Sequence, residues 1–159
     1  MNYFELFEIP VSLNPDKQLL NKKYIELQKR FHPDFFTQAD EAEQAEVLEK
    51  SSLINKGIKI LQNKQATLQY VLQIKGCLPE DEKYALPPDF LMEMMELNEL
   101  EPEAATLVIA DIEAQLAAEI DPIINGYIDE TISKESLEKL KAFYYKKKYL
   151  QRILDKNMD

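Results

Sequence analysis

The chain is 159 residues long, enough for one domain or two small ones and too short for a large multidomain enzyme. Its residues are 45% apolar and 30% charged, the balance of a chain that buries a core, and only three are glycine, so phosphate-cradling loops have little to build on while helix formers abound. The expected fold class is all-α, and a net charge of −10 speaks against a nucleic-acid surface, which needs concentrated Lys and Arg.

Tyr3, Phe4, Leu6 and Phe7 form a short apolar segment that Pro10 stops, which leaves room for a helical turn or two. Asn14 is the expected cap of the next helix, with Pro15 in its first position and Asp16 in its first turn. Leu20, Tyr24, Leu27 and Phe31 recur at helical spacing and make its core stripe. The opposite face holds Lys17, Lys22, Lys23, Lys29 and Arg30 against the single acid Glu26, a basic patch on an otherwise acidic chain. Pro33 ends the helix by pushing His32 out of the α region, and a loop runs from Asp34 to about Gln38. Val47, Ser51, Ile54, Ile58 and Leu61 then predict a second long helix over 40–62, antiparallel to the first because the loop is short. A helix over 65–75 stops at Gly76.

Residues 77–88, with three prolines and Glu80-Asp81-Glu82, read as a linker. Beyond it a helix over 89–100 carries more apolar positions than one face can hide. Phe90, Met94 and Leu97 share a stripe, which leaves Leu91, Met92 and Met95 to point outward. Pro102 restarts a helix whose half-buried course is expected at Leu107, Asp111 and Ala114, and Pro122 kinks or splits it, with Asp121 as a possible cap. Ser133 caps the last helix, with Leu137, Leu140, Phe143, Leu150 and Leu154 inward. Charge divides along the same lines, net 0 over 1–75, −14 over 76–135 and +4 over 136–159, so two modules are expected, with an acidic middle beside a basic last helix.

Few residues offer chemistry. One histidine and one cysteine, Cys77, exclude a His-cluster metal site, a zinc or iron–sulfur ligand set and an internal disulfide. No Gly-rich phosphate loop, Cys-x-x-Cys or G-x-S-x-G occurs, and a carboxylate pair such as Glu93 with Glu96 reads as a solvated face. No enzymatic role, cofactor or metal is expected. The acid-bearing N-terminus is unlike a signal peptide and no run approaches the ~20 apolar residues of a membrane span, so a soluble, unprocessed, cytoplasmic protein is expected, with no membrane partner.

One tripeptide stands apart, His32-Pro33-Asp34, set between a basic amphipathic helix and a second long one. With the opening Tyr3-Phe4-Glu5-Leu6-Phe7, the helix end Gln28-Lys29-Arg30-Phe31 and Asn55 in the following helix, residues 1–75 resemble a J domain. Phe90-Leu91-Met92-Glu93-Met94-Met95-Glu96-Leu97 and Lys148-Tyr149-Leu150 carry the resemblance further, to the HscB family of J-type cochaperones of iron–sulfur cluster assembly. It covers essentially the whole chain, strongest at 1–35 and 88–99 and weak over 103–135. The resemblance implies a J domain at 1–75, a linker at 76–87 and a C-terminal three-helix bundle at 88–159. It implies a cochaperone that stimulates the ATPase of an HscA/DnaK-type chaperone through Lys22, Lys23, Lys29, Arg30, His32, Pro33 and Asp34. Leu91, Met92, Met95, Glu96, Glu99 and Tyr149 are by similarity the face for an IscU-type scaffold protein. A J-domain protein serving a different client is the alternative. Phe35 stands where the family often has Lys, and the direct start on the J domain implies a bacterial-type member.

Overall fold

The computed structural model describes residues 1–157, which form seven α-helices and one 3₁₀ turn, with no strand among them. The last two residues of the expected 88–159 bundle lie outside the described residues. The chain separates into two units, Met1–Ile74 and Lys75–Asp159.

In the first unit α1 (Tyr3–Leu6), α2 (Lys17–Phe31), the 3₁₀ turn (Pro33–Phe36) and α4 (Lys64–Ile74) all pack on the central α3 (Glu41–Leu61). The helix boundaries follow local chemistry. Asp16, and not Asn14, caps α2, because its carboxylate accepts the Leu19 N–H at 2.9 Å; Pro15 therefore lies ahead of the helix. Asp40 caps α3 through the Glu43 N–H at 2.8 Å, and Asn63 starts α4 by accepting from Ala66 at 2.8 Å. His32 sits at φ −71° and ψ 130°, the extended conformation a following proline imposes, and Gly76 follows α4 at φ +75°. Leu20 and Leu27 of α2 and Val47, Ile54 and Ile58 of α3 are all buried where the two helices pack together. Thr67, the one buried polar side chain among the described residues, is satisfied by donating to the Ile60 carbonyl at 2.8 Å.

Four residues cannot hold a helix in water, so α1 depends on what it touches. Asn2 caps it, the Tyr3 N–H donates to the Tyr70 hydroxyl at 2.9 Å, and the two tyrosine rings lie 5.0 Å apart. Burial pushes the Tyr70 phenol above its ordinary pKa. Gly57, near the C-terminal end of α3, makes the approach possible: a Cβ there would lie 2.8 Å from Phe7 Cε2 and 2.9 Å from Tyr3 Cδ1. Gly57→Ala is therefore expected to destabilise, although alanine is the better helix former by about 1 kcal/mol. Forcing two ring edges apart costs ~1–3 kcal/mol, which leaves a net loss of up to about 2 kcal/mol, to be read as a lower denaturation midpoint in urea.

In the second unit α5 (Pro88–Asn98) and α7 (Lys134–Asn157) flank α6 (Pro102–Asn125), around Phe90, Met94, Leu97, Ala105, Ile109, Ile112, Leu150 and Ile153. The buried stripe of α6 is Ala105, Ile109, Ile112 and Ile120, whereas Leu107, Asp111 and Ala114 are exposed, so the expected course is wrong by two residues. The helix is apolar around much of its girth, and its own periodicity does not single out one face. Pro122 does not split α6; it falls in the last turn, which Gly126 closes by donating to the Pro122 carbonyl at 3.0 Å. Ser133 caps α7 through the Ser136 N–H at 3.0 Å.

Residues 75–87 are held against this unit. Lys141 donates to Glu82, Tyr84 stacks on Tyr145 with ring centroids 4.4 Å apart, and Leu86 packs on the core. Lys75 reaches the Asp129 carboxylate at 3.2 Å, and the same carboxylate accepts the Tyr127 hydroxyl at 2.7 Å. The Glu82 hydrogen bond raises the Lys141 pKa, and burial followed by the Asp129 bond pushes the Tyr127 phenol well above its usual range. Burial also raises the pKa of the Cys77 thiol, which makes it a poor nucleophile at neutral pH.

Candidate functional site

The His32-Pro33-Asp34 tripeptide forms the link between α2 and the 3₁₀ turn. Pro33 opens the turn, where its missing N–H costs nothing, and the Asp34 N–H donates to His32 Nδ1 at 3.2 Å. Because Nδ1 accepts, the ring proton sits on Nε2, and a ring 46% exposed presents a donor to solvent. The Asp34 carboxylate is exposed, with Oδ2 3.6 Å from His32 Nδ1. One exposed turn thus offers a donor and an anionic acceptor two residues apart. Gln44 of α3 fixes the turn from behind, donating to the Phe36 and Thr37 carbonyls at 3.0 and 3.2 Å.

Lys22, Lys29 and Arg30 project from α2 with no ion pair among the described residues, whereas Lys23 lies 3.8 Å from Glu8 and 3.9 Å from Glu26. Three of the four candidate bases therefore carry uncompensated charge. Lys29 and Arg30 also stand in the last turn of α2, where the helix dipole favours cations. Sequence reading missed Lys50: from α3 its Nζ lies 4.7 Å from the Phe31 ring centroid, with Arg30 at 5.0 Å from the same ring, so it adds a base beside the tripeptide. Its place on a mixed polar face gave no signal, and Gln44 was hidden in the same way. Asn55 ties the hairpin from α3, accepting from Gln28 at 3.0 Å and from the Tyr24 hydroxyl at 3.4 Å.

The second candidate surface is on α5. Phe90, Met94 and Leu97 are buried, while Leu91, Met92 and Met95 are 38, 63 and 69% exposed. At 100° per residue Met92, Met95, Glu96 and Glu99 share an arc of about 100° opposite the buried stripe, with Leu91 at its edge. Both glutamates are exposed. Tyr149 of α7 comes to this helix, its ring edge-on to Phe90 at 6.1 Å, and Lys146 Nζ sits 5.6 Å from the Phe90 ring. The arrangement is an apolar patch with an acidic border. Among the described residues no group of His, Cys, Asp and Glu is placed to hold a metal, and no helix is long and apolar enough to cross a membrane.

A family model described as the HSCB C-terminal oligomerisation domain matches residues 86–156. A protein named Co-chaperone protein HscB homolog from Vibrio cholerae serotype O1 (strain M66-2) is 40% identical over 119 residues, 74% of this chain and 68% of that protein. A homolog of the same name from Colwellia psychrerythraea is 32% identical and matches 92% of this chain and 91% of its own length. Among solved structures, human co-chaperone protein HscB superposes with a TM-score of 0.79 at 24% identity, over 99% of this chain and 81% of that one. Chaperone HscB from Vibrio cholerae does so with 0.62 at 28%, over 98% and 99%.

Proposed function

Because the chain belongs to the HscB co-chaperone family, we propose that it stimulates ATP hydrolysis by an HscA/DnaK-type chaperone through residues 1–75 and presents an IscU-type iron–sulfur scaffold to it through residues 88–159. The observation that carries the reading is the braced turn at His32-Pro33-Asp34 beside an uncompensated basic helix. Lys22, Lys29 and Arg30 steer α2 onto an acidic surface of the ATPase, an attraction that acts mainly on the association rate and is screened by salt. His32 and Asp34 then hydrogen-bond at the chaperone. Pro33 and the Gln44 clamp hold the turn in one conformation beforehand, so little entropy is lost on docking. These bonds favour the chaperone state committed to hydrolysis, and the cochaperone raises another protein's turnover without catalysing a reaction. The scaffold docks on Leu91, Met92 and Met95, where flexible thioethers adapt to a partner, with Glu96, Glu99 and Tyr149 around them. The proposed setting is the cytoplasm, where Cys77 stays a thiol.

Steady-state ATP hydrolysis by the chaperone, with the protein and the scaffold added singly and together, tests both halves. The protein alone should stimulate, and the pair should stimulate more than either. No response to the protein removes the first half of the reading, and a scaffold effect indifferent to it removes the second. The steering bases make a finer prediction. Reversing the charge of Lys22 and Lys29 should slow association several-fold at low salt and flatten its salt dependence, with dissociation little changed. Reversing Lys23 should do less, because Glu8 and Glu26 already offset it. Stopped-flow binding over a salt series separates the two.

A further inference from the structure

We propose that Phe35 is a second anchor for the ATPase chaperone, an apolar knob seated in an apolar recess bordered by the acids that meet Lys29 and Arg30, and that its ring holds His32 in docking orientation. The inference rests on the function proposed above and names a residue which that reading leaves unused. Phe35 is 68% exposed although it directly follows the tripeptide. Its exposure is built in. The Phe35 N–H donates to the His32 carbonyl at 3.0 Å, closing the 3₁₀ turn, and Gln44 clamps the two carbonyls that follow. Phe36 takes the inward position, where it lines a small hollow with Phe31, Val47 and Lys50, and the tight turn sends Phe35 the other way.

The Phe35 ring meets the His32 imidazole edge-on, with centroids 5.9 Å apart and planes at 62°. That contact restricts rotation of a side chain whose orientation the docking reaction needs. The pair directly follows the last turn of α2, which carries Lys29 and Arg30, so the exposed ring continues the chain's basic helix end. Aromatic side chains desolvated at the centre of an interface are the usual anchors, and charged rims set rate and specificity. The complementary partner is an acidic protein surface with an apolar recess, continuous with the contact already assigned to α2.

The test uses the full chain and a DnaK-type chaperone, with affinity measured at low and high salt for Phe35→Ala, Phe35→Tyr and Phe35→Lys, and His32→Gln as reference. Phe35→Ala should weaken binding about tenfold or more, by the same factor at both salt levels, and Phe35→Tyr should bind like the parent. Phe35→Lys should bind with a steeper salt dependence, because a screened charge replaces apolar contact. The positioning role has its own readout, since His32 is the only histidine and gives a single set of imidazole resonances. They should shift in Phe35→Ala and stay in place in Phe35→Tyr. Parent-like binding by Phe35→Ala, or a loss confined to low salt, overturns the anchor while His32→Gln still fails to stimulate. Unmoved imidazole resonances in Phe35→Ala overturn the positioning role. Stimulation retained by His32→Gln defeats the function itself, and the inference with it.

Discussion

His32→Gln should bring the chaperone's ATPase down to its basal rate while leaving helical content unchanged and melting within a few degrees. The asymmetry follows from where the ring lies. Nearly half exposed, it accepts one bond from the Asp34 N–H, lies 3.6 Å from the Asp34 carboxylate and meets Phe35 edge-on. A single exposed hydrogen bond is worth ~0.5–1 kcal/mol at most, and Pro33 and Gln44 still shape the turn. At the interface the same ring is asked for an oriented donor, and losing a hot-spot group costs ~2 kcal/mol or more, about thirtyfold. Circular dichroism and a coupled ATPase assay read the two effects independently. A variant that still stimulates would show that the tripeptide is only a helix stop.

The second large effect is expected at α5. The triple variant Leu91→Ala, Met92→Ala, Met95→Ala should lose scaffold binding by at least ~2 kcal/mol, or more than about thirtyfold, while still stimulating the chaperone. Stability should change little, because these side chains are 38–69% exposed and the core contacts belong to their neighbours. Met94→Ala is the contrasting case. Its side chain is fully buried between α5, α6 and α7, and truncation there should cost ~2–5 kcal/mol of folding stability. Calorimetric titration with the scaffold and thermal melts of both variants separate surface from core. A triple variant that melts as early as Met94→Ala would place the stripe in the core and defeat the proposed docking face.

Why some of this was legible in the sequence and some was not comes down to the reach of the forces. Capping, proline geometry and amphipathic spacing act within a few residues, so the ends of α3 and α4, the extended His32, Gly76 and the division of α5 into a buried and an exposed face could all be read from local patterns. The choice between Asn14 and Asp16 as the cap of α2 could not, since either has the chemistry and only the Leu19 N–H decides. On α6, Leu107 and Ile109 are equivalent to a periodicity argument; burial of the second depends on α5 and α7. Long-range partners were invisible. Nothing local says that Gly57 must be bare because Tyr3 and Phe7 pack on it, or that Lys50 and Gln44, unremarkable on a polar helix face, arrive at the tripeptide.

The fastening of residues 75–87 decides how the second unit can be excised. A fragment begun at Pro88, where its first helix starts, discards Lys75, Glu82, Tyr84 and Leu86 together. It leaves the Lys141 ammonium without its carboxylate and the Tyr145 ring without its stacking partner. The same cut uncovers both groups to water, so what is lost is the pair and the stack, on the order of 1 kcal/mol each. The family match begins at residue 86, a cut that keeps Leu86 but still discards Lys75, Glu82 and Tyr84. A stand-alone fragment that keeps Lys75 as its first residue retains every one of these ties, and a protease that nicks the native protein between the units should do so ahead of Lys75, leaving this segment attached to the second unit.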